Sequence, residues 1–201
     1  PSVTVLPNIW TVFFRFFRFK RLLPSPKQRR FAGKFFGPIL GKTIDSYLGW
    51  YSDNEAGEAR IVDFVTGACF LIRRETINDV GLLDESFFMY LEDDDWCLRI
   101  KQKGWQIYLY PDARIIHYGG ENFRSAFNTF SLEHCKSRYY YFEKHYGKKV
   151  TFLVRLIIIF ALIIQEGALL FLYLFPKRRK KAILREKFNL YLEIIKLSIN
   201  V

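Results

Sequence analysis

The chain has 201 residues, half of them hydrophobic and 18% aromatic, with 31 Lys and Arg against 20 Asp and Glu and a formal net charge of +11. That apolar content argues against a disordered chain, and three widely spaced cysteines (Cys69, Cys97, Cys135) with no CxxC pair argue against a zinc site or a disulfide framework. The basic balance, with a pI near 9.6, points to an anionic partner: membrane lipid, nucleic acid or a phosphorylated substrate.

Residues 1–60 read as a connector, aromatic and basic at first and then rich in loops. Within Phe13 to Arg21 the arginines at 15 and 18 share one helical face and phenylalanines fill the rest. Such a helix suits the surface of anionic lipid, or it packs its rings on another part of the protein. Pro24 and Pro26 break it. Arg29 to Gly41 holds three glycines and a proline and reads as an irregular loop, and Ser52 to Glu58 reads as a surface turn.

The segment 61–130 is the centre of the chain. Ile61 to Ile72 is mostly apolar and predicts a buried strand. Gly67 inside it marks either a bulge or a close backbone approach by a sugar or nucleotide. Arg73 to Val80 predicts a short helix ended at Gly81, and Arg73 and Arg74 either approach a diphosphate or form a solvated helix start. Next come Asp84-Glu85-Ser86-Phe87-Phe88 and then Glu92-Asp93-Asp94-Asp95-Trp96. Four adjacent carboxylates repel one another, so such a run is either a candidate active site or an acidic helix start placed at the positive end of the dipole.

A helix is predicted from Asp93 to Lys103, stopped by Gly104, with Asp95 and Arg99 spaced to form a surface pair. Trp105 to Tyr110 and Ala113 to His117 read as short strands on either side of a Pro111-Asp112 turn. Glu121 to Phe130 reads as a mobile loop. Tyr90, Trp96 and Trp105 suit either stacking on sugar faces or core packing.

Residues 131–201 predict a helical, membrane-associated tail. One helix runs from Phe130 to Tyr146. The run from Val150 to Phe175 is long enough to span a bilayer, but Gln165-Glu166 interrupts it and a carboxylate there is costly. Basic residues flank both ends, so loop charge sets no orientation. The pattern favours an embedded or interfacial helical pair broken near Gly167 over a clean span. Ile183 to Ile199 predicts an amphipathic helix. The basic runs match no nucleic-acid-binding pattern, so nucleic acid is not an expected partner.

Read in order, Val62-Asp63-Phe64-Val65-Thr66-Gly67-Ala68, Gly81-Leu82-Leu83-Asp84-Glu85-Ser86-Phe87-Phe88, Glu92-Asp93-Asp94-Asp95, Gly104-Trp105 and His117 resemble the acceptor-side half of a family 2 glycosyltransferase of the rhamnosyltransferase-like branch. The resemblance covers about sixty residues. Each piece is weak alone, and the ordered set is specific.

The fold it implies is α/β: the C-terminal part of a GT-A (Rossmann-like) domain, followed by C-terminal helices of which one is strongly hydrophobic. It implies inverting transfer of a sugar, with rhamnose suggested by the branch, from a nucleotide-diphosphate donor to a lipid-linked or polysaccharide acceptor at the cytoplasmic face of the membrane. Asp93 matches the family's general base, with Glu92 beside it to orient the acceptor or raise the base's pKa. Gly67, Trp96, Asp95 and Trp105 are expected in substrate binding, with Asp95 also supporting the helix start. His117 is expected to bind a divalent metal (Mg or Mn) together with an Asp-x-Asp motif that this chain lacks. The expected donor-binding half does not precede Val62, which implies a fragment that is inactive alone. The alternative is a non-catalytic membrane-associated remnant or partner subunit. The sequence leaves the oligomeric state open.

Overall fold

The apolar run that opens the central segment does not stay one strand. In the computed structural model, which describes residues 3–18, 59–117, 127–174 and 181–199, Asp63 divides it. Strand β2 (Arg60–Val62) precedes Asp63 and strand β3 (Phe64–Val65) follows it. Val62 and Phe64 point into the core while the Asp63 carboxylate between them pairs with the Lys101 ammonium. A charged side chain with a partner outside the core bends the chain where a continuous strand was expected. Residues 66–72 are turn and irregular backbone.

Each half finds a separate antiparallel partner. Strand β1 (Val3–Thr4) pairs with β3, placing Val3 opposite Val65 and Thr4 opposite Phe64. Strand β4 (Ile107–Leu109) pairs with β2, placing Val62 opposite Ile107. β4 is the centre of the strand expected over 105–110. Ala113 to His117, expected as a strand, is irregular.

Helix α1 (Ile9–Phe16) starts with a capping box: the Thr11 amide donates to Asn8 Oδ1 at 3.0 Å and the Asn8 amide to Thr11 Oγ1 at 2.9 Å. Such a cap contributes about 1 kcal/mol. Val12 and Phe14 are buried, so these two apolar side chains face protein. Helix α2 (Arg74–Val80) ends at Gly81, whose φ of 83° favours glycine. Helix α3 (Glu92–Gln102) is followed by Gly104 at φ 85°. Both stops fall where the glycines predicted them.

Trp96, Cys97 and Ile100 of α3 pack on Val62, Phe64 and Ile107, with Phe70, Ile72, Ile77 and Val80 around them. Burying one such aliphatic side chain contributes about 1.5–3 kcal/mol. The Cys97 thiol donates to the Val65 carbonyl at 3.8 Å, and burial pushes its pKa up to about 12.

The chain divides into two compact units, Pro1–Glu121 and Asn122–Val201. The second holds helix α4 (Phe127–Leu174) and helix α5 (Lys181–Ile199). α4 starts inside the stretch expected as a loop over 121–130; residues 121–126 lie outside the described ones. Its break is at Gly147 (φ 79°, ψ 169°), not near Gly167, where the helix runs on to Leu174. Gly147 breaks the helix because its φ is positive, whereas Gly167 has no such φ and the helix runs through it. No helix among the described residues is long and apolar enough to cross a membrane. α5 forms as the amphipathic pattern predicts, with Leu190, Ile194 and Ser198 buried. Ser198 Oγ pairs with the Tyr139 hydroxyl and donates to the Ile194 carbonyl at 2.7 Å. The Pro24–Pro26 break, the 29–41 loop and the 52–58 turn lie outside the described residues.

Candidate active site

The acidic run opens α3, and the backbone before it is strained. Tyr90 and Leu91 have φ of 68° and 67°, values that side chains other than glycine rarely adopt. A left-handed residue costs roughly 1–2 kcal/mol. Leu91 is 4% exposed, and its burial offsets that cost. Its carbonyl then accepts the Asp95 amide at 2.9 Å, closing the first turn. Paired strain of this kind accumulates at functional sites.

Glu92 and Asp93 then occupy different surroundings. Both Asp93 oxygens are engaged: Oδ1 accepts the Asp94 amide at 3.0 Å and Oδ2 accepts the Gly67 amide at 2.8 Å. Each oxygen keeps a further lone pair for a substrate hydroxyl. A Cβ added at Gly67 would lie 3.6 Å from Asp93 Oδ2, so the close approach expected at this glycine is made by the protein's own carboxylate. Glu92 Oε2 is buried and has no hydrogen-bond partner among the described residues. Desolvation, and then the negative charge of Asp93, push the Glu92 pKa above its ordinary value. One acid is anchored and ready to accept, while its neighbour is biased toward holding a proton.

The other expected binding residues do different work. Asp95 and Arg99, expected as a surface pair, are a buried one. Asp95 is fully buried and accepts Arg99 Nε at 2.8 Å. The remaining guanidinium nitrogens donate to the carbonyls of Val80 and Leu82 at 2.8 Å each. The pair therefore ties the end of α2 to α3, because a buried carboxylate needs a cation and a rigid fork can serve two carbonyls besides.

Trp96 is 8% exposed, its ring packs on Phe70, and its indole N–H donates to the Gly81 carbonyl at 2.9 Å. It has no free face for a sugar, and its packing on the α2 end corrects the expected stacking role. Trp105 is half-buried and donates to Asp79 Oδ2 at 3.0 Å. That bond, then Lys103, hold the Asp79 carboxyl below its ordinary pKa.

Arg73, Arg74 and His117 are exposed. No group of three His, Cys, Asp or Glu side chains able to hold a metal occurs among the described residues. His117 thus belongs to no such group, and the described residues alone do not make a cation site. The left-handed Tyr90-Leu91 pair and the Arg99 latch were not identified from sequence. The Asp95–Arg99 spacing was visible; its burial was not.

Residues 53–135 match the family described as "Glycosyltransferase like family 2". That stretch is similar to family 2 glycosyltransferases, and the relatives it matches carry rhamnosyltransferase names. The N-acetylglucosaminyl-diphospho-decaprenol L-rhamnosyltransferase of Mycobacterium tuberculosis is 33% identical over 89 residues, which is 44% of this chain and 29% of that protein. Rhamnosyltransferase WbbL of Escherichia coli is 33% identical over 112 residues, 53% of this chain and 42% of WbbL. The dTDP-rhamnosyl transferase RfbF of Shigella flexneri is 31% identical over 51 residues, 25% of this chain and 17% of RfbF. The chain thus spans less than half the length of these relatives. No solved structure matches. The matched segment contains the whole acidic site, from Gly67 to Asp95.

Proposed function

We propose that this chain supplies the acceptor-side catalytic residues of an inverting glycosyltransferase. The enzyme moves a sugar, rhamnose by analogy with the names of the relatives, from a nucleotide-diphosphate donor to a glycan or lipid-linked acceptor in cell-envelope polysaccharide synthesis. The work takes place at the cytoplasmic face of the membrane. The observation that carries the reading is the Asp93 carboxylate, fixed by two backbone amides beside a desolvated Glu92, inside the matched segment.

An acceptor hydroxyl is a poor nucleophile because its pKa is high. Asp93 accepts its proton as the oxygen bonds to the anomeric carbon. The bond from that carbon to the diphosphate oxygen breaks, and its electron pair leaves with the diphosphate. Attack from the face opposite the leaving group inverts the centre. Glu92, with its raised pKa, orients the acceptor by hydrogen bonding. Gly67 and the Asp95–Arg99 pair position the base, and half-buried Trp105 borders the sugar. A divalent cation (Mg or Mn) would offset the charge on the diphosphate, with His117 as one ligand and an Asp-x-Asp motif as the others.

Replacing Asp93 by Asn in the complete enzyme keeps the shape and removes the base. Turnover should fall by about 10²–10⁴-fold, and unchanged turnover would overturn the assignment.

A further inference from the structure

Helix α4 carries exposed apolar side chains on a second face, besides the face that packs with α5. Val154, Ile158, Ala161 and Leu162 are buried in the second unit, where α4 packs with α5. On that face Phe152 is 62% exposed, Leu156 45% and Ile163 54%, with Leu153 and Ile164 beside them. Residues 152, 156 and 163 follow helical spacing, so they form one stripe about 16 Å long at 1.5 Å per residue. A contiguous apolar surface of this kind marks a contact site.

The charge of the same unit identifies what it meets. Residues 122–201 hold fifteen Lys and Arg against five Asp and Glu, and so carry +10 of the net +11. Lys148, 90% exposed, and the exposed Lys149 stand one turn before Phe152. Lys177-Arg178-Arg179-Lys180-Lys181 follows the helix in sequence. A second copy would bring +10 against +10. Nucleic acid would satisfy the charge and leave the aliphatic and phenyl stripe in water. An anionic bilayer satisfies both, with apolar side chains in the acyl boundary and lysines among the headgroups. We infer that the second unit docks in the plane of an anionic lipid surface through Phe152, Leu156 and Ile163 of α4, held there by flanking lysines. The inference specifies the membrane contact of the proposed function and does not depend on sugar transfer.

The test is co-sedimentation of the full 201-residue chain with vesicles of phosphatidylglycerol and phosphatidylcholine in equal parts, and with phosphatidylcholine alone. The chain should bind the anionic vesicles at least about tenfold more tightly, because the basic residues are drawn to the negative headgroups. Phe152→Ser with Leu156→Ser should weaken that binding at least about tenfold with circular dichroism unchanged, since both apolar side chains are then lost from the acyl boundary. Lys148→Glu with Lys149→Glu should weaken it at low salt and matter little at high salt. Alkaline carbonate should release the bound chain. Equal binding to both vesicles, or full binding by the folded double-serine variant, would overturn the docking surface. Retention through carbonate would overturn the in-plane arrangement, and a chain that self-associates through the stripe without binding vesicles would assign it to a second copy. None of these results bears on Asp93, whose turnover test stands apart.

Discussion

The amide of Gly67 donates to Asp93 Oδ2 at 2.8 Å, joining two residues 26 apart in sequence. Removing that donor should release the carboxylate. Gly67→Pro lacks the N–H, and losing a hydrogen bond to a charged group costs about 1.5–3 kcal/mol, so turnover of the complete enzyme should fall by about tenfold or more. Gly67→Ala keeps the N–H, and its Cβ would meet Asp93 Oδ2 at 3.6 Å, an ordinary contact. Alanine should therefore retain most of the activity. Equal losses in both variants would mean that space at position 67, not the hydrogen bond, is what matters.

This bond shows where sequence reasoning reached and where it stopped. Gly67 stood out as a glycine within an apolar run and Asp93 as an acid within an acidic run. No periodicity links positions 67 and 93, so that Asp93 itself makes the close approach emerged only from the fold. The helix ends at Gly81 and Gly104 were legible because a left-handed C-terminal residue is a local requirement. The division of β2 from β3 at Asp63 was not, because it depends on Lys101, distant in sequence. Trp96 could be read as core or as a sugar platform. Its indole bond to Gly81 and its burial decide for core.

The Asp95–Arg99 pair should be a main support of the first unit. Asp95→Ala leaves Arg99 without its carboxylate, and Arg99→Ala leaves a fully buried Asp95 without its cation. Breaking a buried pair from one side costs about 3–5 kcal/mol. Arg99→Lys should not restore stability, because one ammonium cannot reach Asp95, Val80 and Leu82 with the geometry of the fork. Urea midpoints of the three variants check this. A lysine variant as stable as the parent would show that charge alone suffices.

The strained pair before α3 predicts opposite signs for neighbouring substitutions. Tyr90→Gly relieves a left-handed residue at a half-buried position and should be neutral or stabilising by up to about 1 kcal/mol. Leu91→Gly relieves the same strain but removes a side chain that is 4% exposed. A large-to-small core change costs about 2–5 kcal/mol, so burial outweighs strain and the variant should be destabilised. Denaturant unfolding of both variants gives the two signs directly.

Glu92 should penalise the fold at neutral pH. Its pKa is raised above 4.5 by desolvation and then by the Asp93 charge, so the folded state holds its proton more tightly than the unfolded chain does. Its favourable contribution is complete below the unfolded value and is lost as pH rises through the folded value. Glu92→Gln carries no such titration. The variant should therefore be more stable than the parent at neutral pH, and the difference should shrink as pH falls through the raised folded value toward 4.5 and vanish well below it. Urea midpoints across that range test the sign. A gap that widens toward acid would mean that Glu92 is stabilised as the carboxylate.

The three cysteines should separate by reactivity. Cys69 is exposed on the turn that carries Gly67, whereas Cys97 and Cys135 are buried. Burial pushes the Cys97 pKa up to about 12 and raises that of Cys135 as well. The thiolate is the reacting species, so both buried thiols are slow for lack of access and for lack of ionisation. A thiol reagent added to the folded chain should modify Cys69 first, and Cys97 and Cys135 should follow only in denaturant. Cys97 lies in the core beneath α3 and Cys135 on α4 of the second unit. Their rates in rising urea therefore report the opening of the two units separately. Early labelling of Cys97 without denaturant would mean that the core under Asp93 opens in the native state, which would contradict the packing of α3 on β3.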